Sequence, residues 1–265
     1  MSRFQEECES PLLDYLGRAM TRPLAQATPG APVTLTNVSV RPRDHRAAAP
    51  EGVSLHVPAG QSVALYDRAG SSGVELVDVI AGRRRLRSGQ VTVHGTMHRM
   101  GVPAVDRRQA DRWLLSGRFT LLPSRSVAGN MLAALRSRRP DAATRARVAE
   151  LLAITGAANL ASRRVETLSA EQQWRVLVAR ALLIDPQLVI AEDPAPGLDS
   201  RAASRALDLL MDAQARFGFT LVLATGRLVS AARCERVVSL ADGQVTGDEL
   251  IGDDAWTRGR IDRIG

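Results

Sequence analysis

Between Gln61 and Gly82 the chain runs from an apolar stretch, SVALY, through a loop of small residues, DRAGSSG, into an apolar helical run, VELVDVIAG, closed by glycine. Strand, small-residue loop, helix is the layout of a phosphate-binding βα unit. The N–H groups at the start of such a helix have no partner within it and can hold an anion. No other segment limits the possible folds as much, because right-handed crossovers between such units favour a parallel sheet with helices packed on it.

The flanking sequence agrees. VTLTNVSV, GVSLHV and QVTVHG alternate as strands do, separated by turn residues at Pro42, Pro50, Pro58, Ala59 and Gly60. Residues from about 120 to 182 are helix-rich: NMLAALRS, then TRARVAELLAITG up to Gly156, then ETLSAEQQWRVLVARALLID as a capped helix stopping before Pro186. QLVIAED reads as a central parallel strand ending in two acids. A helix (SRAASRALDLLMDAQARFG), a strand (TLVLAT), another helix and a final strand (RVVSLADGQV) complete a βαβ alternation. The expected architecture is α/β over residues 33–265, with a helical subdomain at about 120–182. Residues 1–32 read as an extension or linker, with a short amphipathic stretch at Leu12, Leu13, Leu16 and Met20 before the flexible QATPGAP.

Hydrophobic residues make up 45% of the 265, enough for a sizeable core, but aromatics are 3%, so Val, Leu, Ala and Ile must build it. No run approaches a membrane span and no cleavable leader pattern opens the chain. Cys8 and Cys234 lie far apart without metal-ligand spacing, which fits a reducing cytoplasm. All 35 basic residues are arginine and the net charge is +7. Such a surface attracts anionic partners without distinguishing among them. Arg83, Arg84, Arg85 and Arg87 form the densest cluster, but no aromatic platform or reading helix points to a specific nucleic acid.

Five segments, in order and at the right spacing, resemble the ATP-binding subunits of ABC transporters over roughly residues 33–247. They are IAG followed by SGQVTVHG (Ile80–Gly82, Ser88–Gly95), LLPSRSVAGNML (Leu121–Leu132), QQWRVLVARAL (Gln172–Leu182), LVIAEDPAPGLDS (188–200), and the strand–loop–helix unit itself. The likeness is to the bacterial branch serving lipoprotein extrusion and macrolide export, whose Walker B region runs close to LLLADEPTGNLDS. The resemblance implies a P-loop NTPase-like ABC nucleotide-binding domain. It would combine a mixed or parallel core sheet with an antiparallel β subdomain and a helical subdomain.

Set against the family's motifs, the chemical positions differ. The phosphate loop of the form GxxxxGK[ST] falls on Asp67, Arg68, Ala69, Gly70, Ser71, Ser72, Gly73 and Val74, followed by Glu75. Gly73 stands at the lysine and Val74 at the metal-binding hydroxyl, and with no lysine in the chain no alignment restores one. Asp67 and Glu75 are expected to repel a triphosphate by on the order of 1–4 kcal/mol at about 4 Å, while Arg68 supplies some positive charge. The Asp–Glu pair of Walker B is exchanged to Glu192 and Asp193, displacing each carboxylate by about one methylene. The signature LSGGQ is Leu168, Ser169, Ala170, Glu171, Gln172. There Glu171 either faces the partner's phosphate or simply stabilises a helix N-terminus. The switch histidine is Gly226; the glutamine-loop residue falls near Gly117 and the adenine-stacking aromatic near Pro42. Asp199, in the retained PGLD segment, is a dimer-contact candidate.

The resemblance with these departures implies a subunit that keeps the fold and has released the chemistry. No cofactor is expected to bind tightly, with ATP and Mg²⁺ held weakly at most, and no metal site is expected. The role is then a non-catalytic structural or regulatory partner of a membrane permease or a paralogous ATPase, as a homodimer or heterodimer, on the inner face of the cell membrane. A weak ATPase using Glu192, Asp193 and an arginine in place of lysine is the alternative. A basic binder of nucleic acid or acidic protein on the same fold is the second alternative.

Overall fold

The computed structural model describes residues 30–42, 48–68, 72–93, 96–99, 114–115, 121–135, 140–193 and 198–251. These fall into two compact units, residues 121–185 in one and residues 30–115 with 186–251 in the other. The amphipathic stretch near the N-terminus and the position near Gly117 lie outside the described residues.

In the larger unit, strands β1 (Val33–Val40), β2 (Val53–Val57), β3 (Ser62–Asp67), β4 (Leu86–Val93) and β5 (Thr96–Arg99) are interrupted by helix α1 (Ser72–Ile80). Strand β6 (Leu114–Leu115) precedes the helical unit, which contains α2 (Val127–Ala134), α3 (Ala142–Ile154) and α4 (Ala170–Leu182). The chain then returns to the larger unit with β7 (Leu188–Glu192), α5 (Ser200–Phe217), β8 (Thr220–Thr225), α6 (Leu228–Ala231), β9 (Arg236–Ala241) and β10 (Gln244–Leu250).

Two sheets result. One is antiparallel and four-stranded, ordered β2-β1-β4-β5. The other has six strands ordered β10-β9-β3-β8-β7-β6, parallel from β9 to β6 with β10 antiparallel at its edge. The sequence reading takes residues 236–245 as one final strand, whereas the structure folds them into a hairpin. Asp242 (φ 49°) and Gly243 (φ 81°) form its two-residue turn. Both φ values are positive, as a turn that matches strand twist requires, and Asp-Gly supplies them at least cost.

A continuous apolar core joins both sheets of this unit through α1. Val33, Leu35, Val57 and Val91 come from the antiparallel sheet, Val63, Leu65, Ile190 and Val222 from the mixed sheet, and Leu76, Val77 and Ile80 from α1, all nearly inaccessible. Each such side chain contributes about 1.5–3 kcal/mol on burial. The amino-terminal edge of the mixed sheet is stitched by polar groups. Ser62 N–H donates to Glu235 Oε2 at 3.0 Å, Glu235 N–H returns to Ser62 Oγ at 3.1 Å, and Gln214 Nε2 donates to Gly60 O at 2.7 Å. The carboxyl ends of β3, β8 and β7 lie at the opposite edge of the sheet.

In the helical unit, Trp174 of α4 is the largest fully buried side chain, among Met131, Leu151 and Leu152. Buried Asn130 ties the 122–126 turn to α2 by exchanging hydrogen bonds with Leu122 (N–H to Oδ1, 2.6 Å; Nδ2 to O, 3.1 Å) and donating to Ser126 O at 3.0 Å.

A Cβ on Gly243 would stand 2.0 Å from the Ala49 carbonyl oxygen. Gly243→Ala therefore has to adopt the left-handed conformation and displace a neighbouring backbone. Denaturant titration of the variant is expected to show a loss of at least ~1–2 kcal/mol.

Candidate nucleotide site

Strand β8 lies between β3 and β7, with Tyr66 beside Thr225 and Ala224 beside Glu192, so the three strands end at the same level. In open α/β sheets that edge is where ligands bind. Converging there are Asp67 and Arg68 after β3, Glu192 and Asp193 at the end of β7, and Thr225, Gly226 and Arg227 at the end of β8. Ala69, Gly70 and Ser71 lie outside the described residues; Ser72, Gly73, Val74 and Glu75 form the first turn of α1.

The Ser72 N–H, at the head of α1, donates to Asp67 Oδ2 at 2.7 Å. An anionic oxygen thus already rests on a helix-start amide, the arrangement a phosphate oxygen would use. Gly73 packs closely against β3: a Cβ there would meet the Leu65 carbonyl oxygen at 3.0 Å.

Glu75 does not face outward. It is 3% exposed and pairs with the Arg84 guanidinium at 3.4 Å, and Asp78, one turn on, pairs with Arg83 at 3.7 Å. The end of α1 places both arginines: Gly82 at φ 69° lets its N–H reach Val79 O and the Arg83 N–H reach Asp78 O, a double-bonded stop that folds the chain back over the helix. Arg84 also donates to the carbonyl of Arg41, beside exposed Pro42. Two members of the arginine cluster therefore neutralise buried acids rather than forming an open basic face.

Asp193 is held on two sides. The Thr225 hydroxyl donates to its Oδ2, and the Arg227 guanidinium lies 3.2 Å from its Oδ1. The Asp193 N–H donates to Ala224 O at 3.0 Å, and the Arg227 N–H donates to Thr225 Oγ1 at 3.0 Å. Sequence reasoning stopped at Gly226, which is exposed, missed Arg227 and Thr225, and took Arg84 as part of a basic cluster. The available signal was an arginine directly after a strand end, in TGRL.

In the helical unit, Ser169 caps α4 and forms a reciprocal capping box with Gln172. Ala170 opens the helix, and Glu171 turns along it to Arg175 at 3.0 Å. The capping box is made by Gln172, and Glu171 takes part in an ion pair along the helix. Asp199 caps α5, accepting the Ala202 N–H at 2.7 Å, and remains exposed. Among the described residues no group of three or more His, Cys, Asp or Glu could hold a metal unaided, and no helix is long and apolar enough to cross a membrane.

The profile of the ABC transporter family matches residues 50–196, more than half the chain. This chain belongs to the ABC transporter family. The macrolide export ATP-binding/permease protein MacB of Rhodopseudomonas palustris is 32% identical over 213 residues, covering 78% of this chain and 32% of the relative. The methionine import ATP-binding protein MetN of Caulobacter vibrioides is 31% identical over 203 residues, covering 76% of this chain and 61% of the relative. The chain thus spans about a third of the first and under two thirds of the second. Among solved structures, the cassette MJ0796 in a post-hydrolysis state bound to ADP and Pi has a TM-score of 0.68 at 24% identity, covering 83% of this chain and 99% of that one. The fold is the ABC nucleotide-binding cassette.

Membership in this family corrects one expectation. A chain holding no cofactor tightly, with ATP and Mg²⁺ weak at best, does not agree with relatives that are ATP-binding proteins and a cassette of the same fold carrying ADP and Pi. The physical reason lies in the acids. The repulsion assigned to Asp67 and Glu75 assumed that both face the ligand as free charges. Glu75 is buried against Arg84, and an oxygen of Asp67 is taken up by the Ser72 amide. The site fits nucleotide phosphates through the head of α1, with the carboxylates of Glu192 and Asp193 as the groups able to hold Mg²⁺.

Removing Arg84 strands a buried carboxylate. Arg84→Ala is expected to cost about 3–5 kcal/mol by chemical denaturation, whereas Glu75→Gln combined with Arg84→Met lies closer to wild type.

Proposed function

We propose that this chain is the nucleotide-binding subunit of a membrane transporter, and that it binds Mg-ATP without turning it over at the rate of a transport motor. It then acts as a structural or regulatory half beside a permease or a paralogous ATPase. Its relatives support the transporter setting: one is named an ATP-binding/permease protein and one an ATP-binding import protein. A permease partner would place the chain at the inner face of the cell membrane, docked on protein rather than inserted in lipid.

The observation that carries the non-catalytic part is the state of Asp193. The residue at the water-activating position is one methylene shorter than glutamate, accepts the Thr225 hydroxyl and is ion-paired with Arg227. A base must reach the proton it removes, and misplacement by about 1 Å costs on the order of 10²-fold. Its exchanged neighbour Glu192, better suited in length, sits one residue earlier, on the strand and half buried. Nucleotide occupancy without rapid turnover suits a subunit whose bound state, rather than its hydrolysis, is read by a partner.

The nucleic-acid alternative is weakened by the pairing of Arg83 and Arg84 with buried acids. Phosphate release from Mg-ATP tests the main reading. The purified chain is expected to match a Glu192→Ala, Asp193→Ala double variant within error. Turnover well above that variant would make the chain an ATPase and sink the proposal.

A further inference from the structure

We propose that Arg227 is the cation by which this chain reads the terminal phosphate of a nucleoside triphosphate, exchanging Asp193 for that phosphate when the ligand binds. The inference rests on the nucleotide-binding reading above and names the residue that makes binding specific.

Three observations carry it. Position comes first. Arg227 leaves the end of β8, the strand between β3 and β7, and neighbouring strands are about 4.8 Å apart. A long arginine side chain anchored there can serve the strand end on either side, that of β7 at Asp193, where it now lies, or that of β3 at Asp67. Its anchor is firm, because the Arg227 N–H is bonded to Thr225 Oγ1 at 3.0 Å and Thr225 is buried.

Availability comes second. The Arg227 side chain is 47% exposed and its pair with Asp193 is single-toothed, one nitrogen to one oxygen at 3.2 Å. Exposed pairs of this kind are weakly held. A phosphate offers the guanidinium several oxygens and a larger negative charge, which suits its forked donors better than one carboxylate oxygen does.

Need comes third. A phosphate loop ordinarily brings its own lysine, and this chain has none: Gly73 stands there, packed too closely on Leu65 for any side chain to fit without backbone movement. Arg83 and Arg84 are committed to Asp78 and Glu75. Arg227 sits at the same sheet edge with its charge on an acid it can leave. The exchange has a second effect. When Arg227 moves to phosphate, Asp193 gives up that ion pair, keeps the Thr225 hydroxyl and is released toward Mg²⁺.

The test is equilibrium binding of Mg-ATP and Mg-ADP to the full chain, with circular dichroism melts to confirm that each variant folds. Wild type is expected to prefer ATP. Arg227→Ala should lower ATP affinity about tenfold while ADP stays within about twofold. Arg227→Gln, which keeps most of the stem, should behave likewise, and Arg227→Lys should restore part of the preference. If wild type binds both nucleotides and their affinity ratio is unchanged in Arg227→Ala and Arg227→Gln, the role of Arg227 is overturned while nucleotide binding stands. If wild type binds neither, the nucleotide-binding reading fails and this inference falls with it.

Discussion

Helix α1 is buried on almost every side, and yet it carries two carboxylates. Glu75 and Asp78 sit one turn apart at 3% and 1% exposure. Unmatched, such charges would cost several kcal/mol each. The Gly82 stop turns the chain so that Arg83 and Arg84 close over them. That closure lets α1 lie buried in the core shared by both sheets. Arg84, bonded also to Arg41, links the helix to the segment after β1.

Much of this fold was legible from periodicity and punctuation. The strand SVALY and the helix that follows it, a capped helix within ETLSAEQQWRVLVARALLID, and the apolar strand within QLVIAED all form in the structure. Local rules suffice for such elements, because the chain satisfies its own backbone within a few residues. The hairpin at Asp242–Gly243 escaped the reading because RVVSLADGQV is apolar and strand-like on both sides of its turn. The Asp-Gly signal was present within it.

The site was less legible, for a different reason. Position-by-position alignment shows what is missing at Gly73, Val74 and Gly226 but not where neighbouring charges point. Glu75 read as repulsive, and Glu171 as either facing a phosphate or stabilising its helix, because a charge in a sequence has no direction. In the structure one is sealed against Arg84 and the other lies along its helix beside Arg175. Arg227 was invisible for the same reason. Only the strand order β3-β8-β7 puts it beside Asp193, which is 34 residues away in the chain.

The ion pair at the end of β8 also differs in kind from the histidine the family places one residue earlier. An imidazole offers a single donor from each ring nitrogen. A guanidinium offers several donors in a fixed, planar fork at the end of a long stem. The contact at this sheet edge can therefore engage more than one oxygen at once and from farther away than a histidine there could.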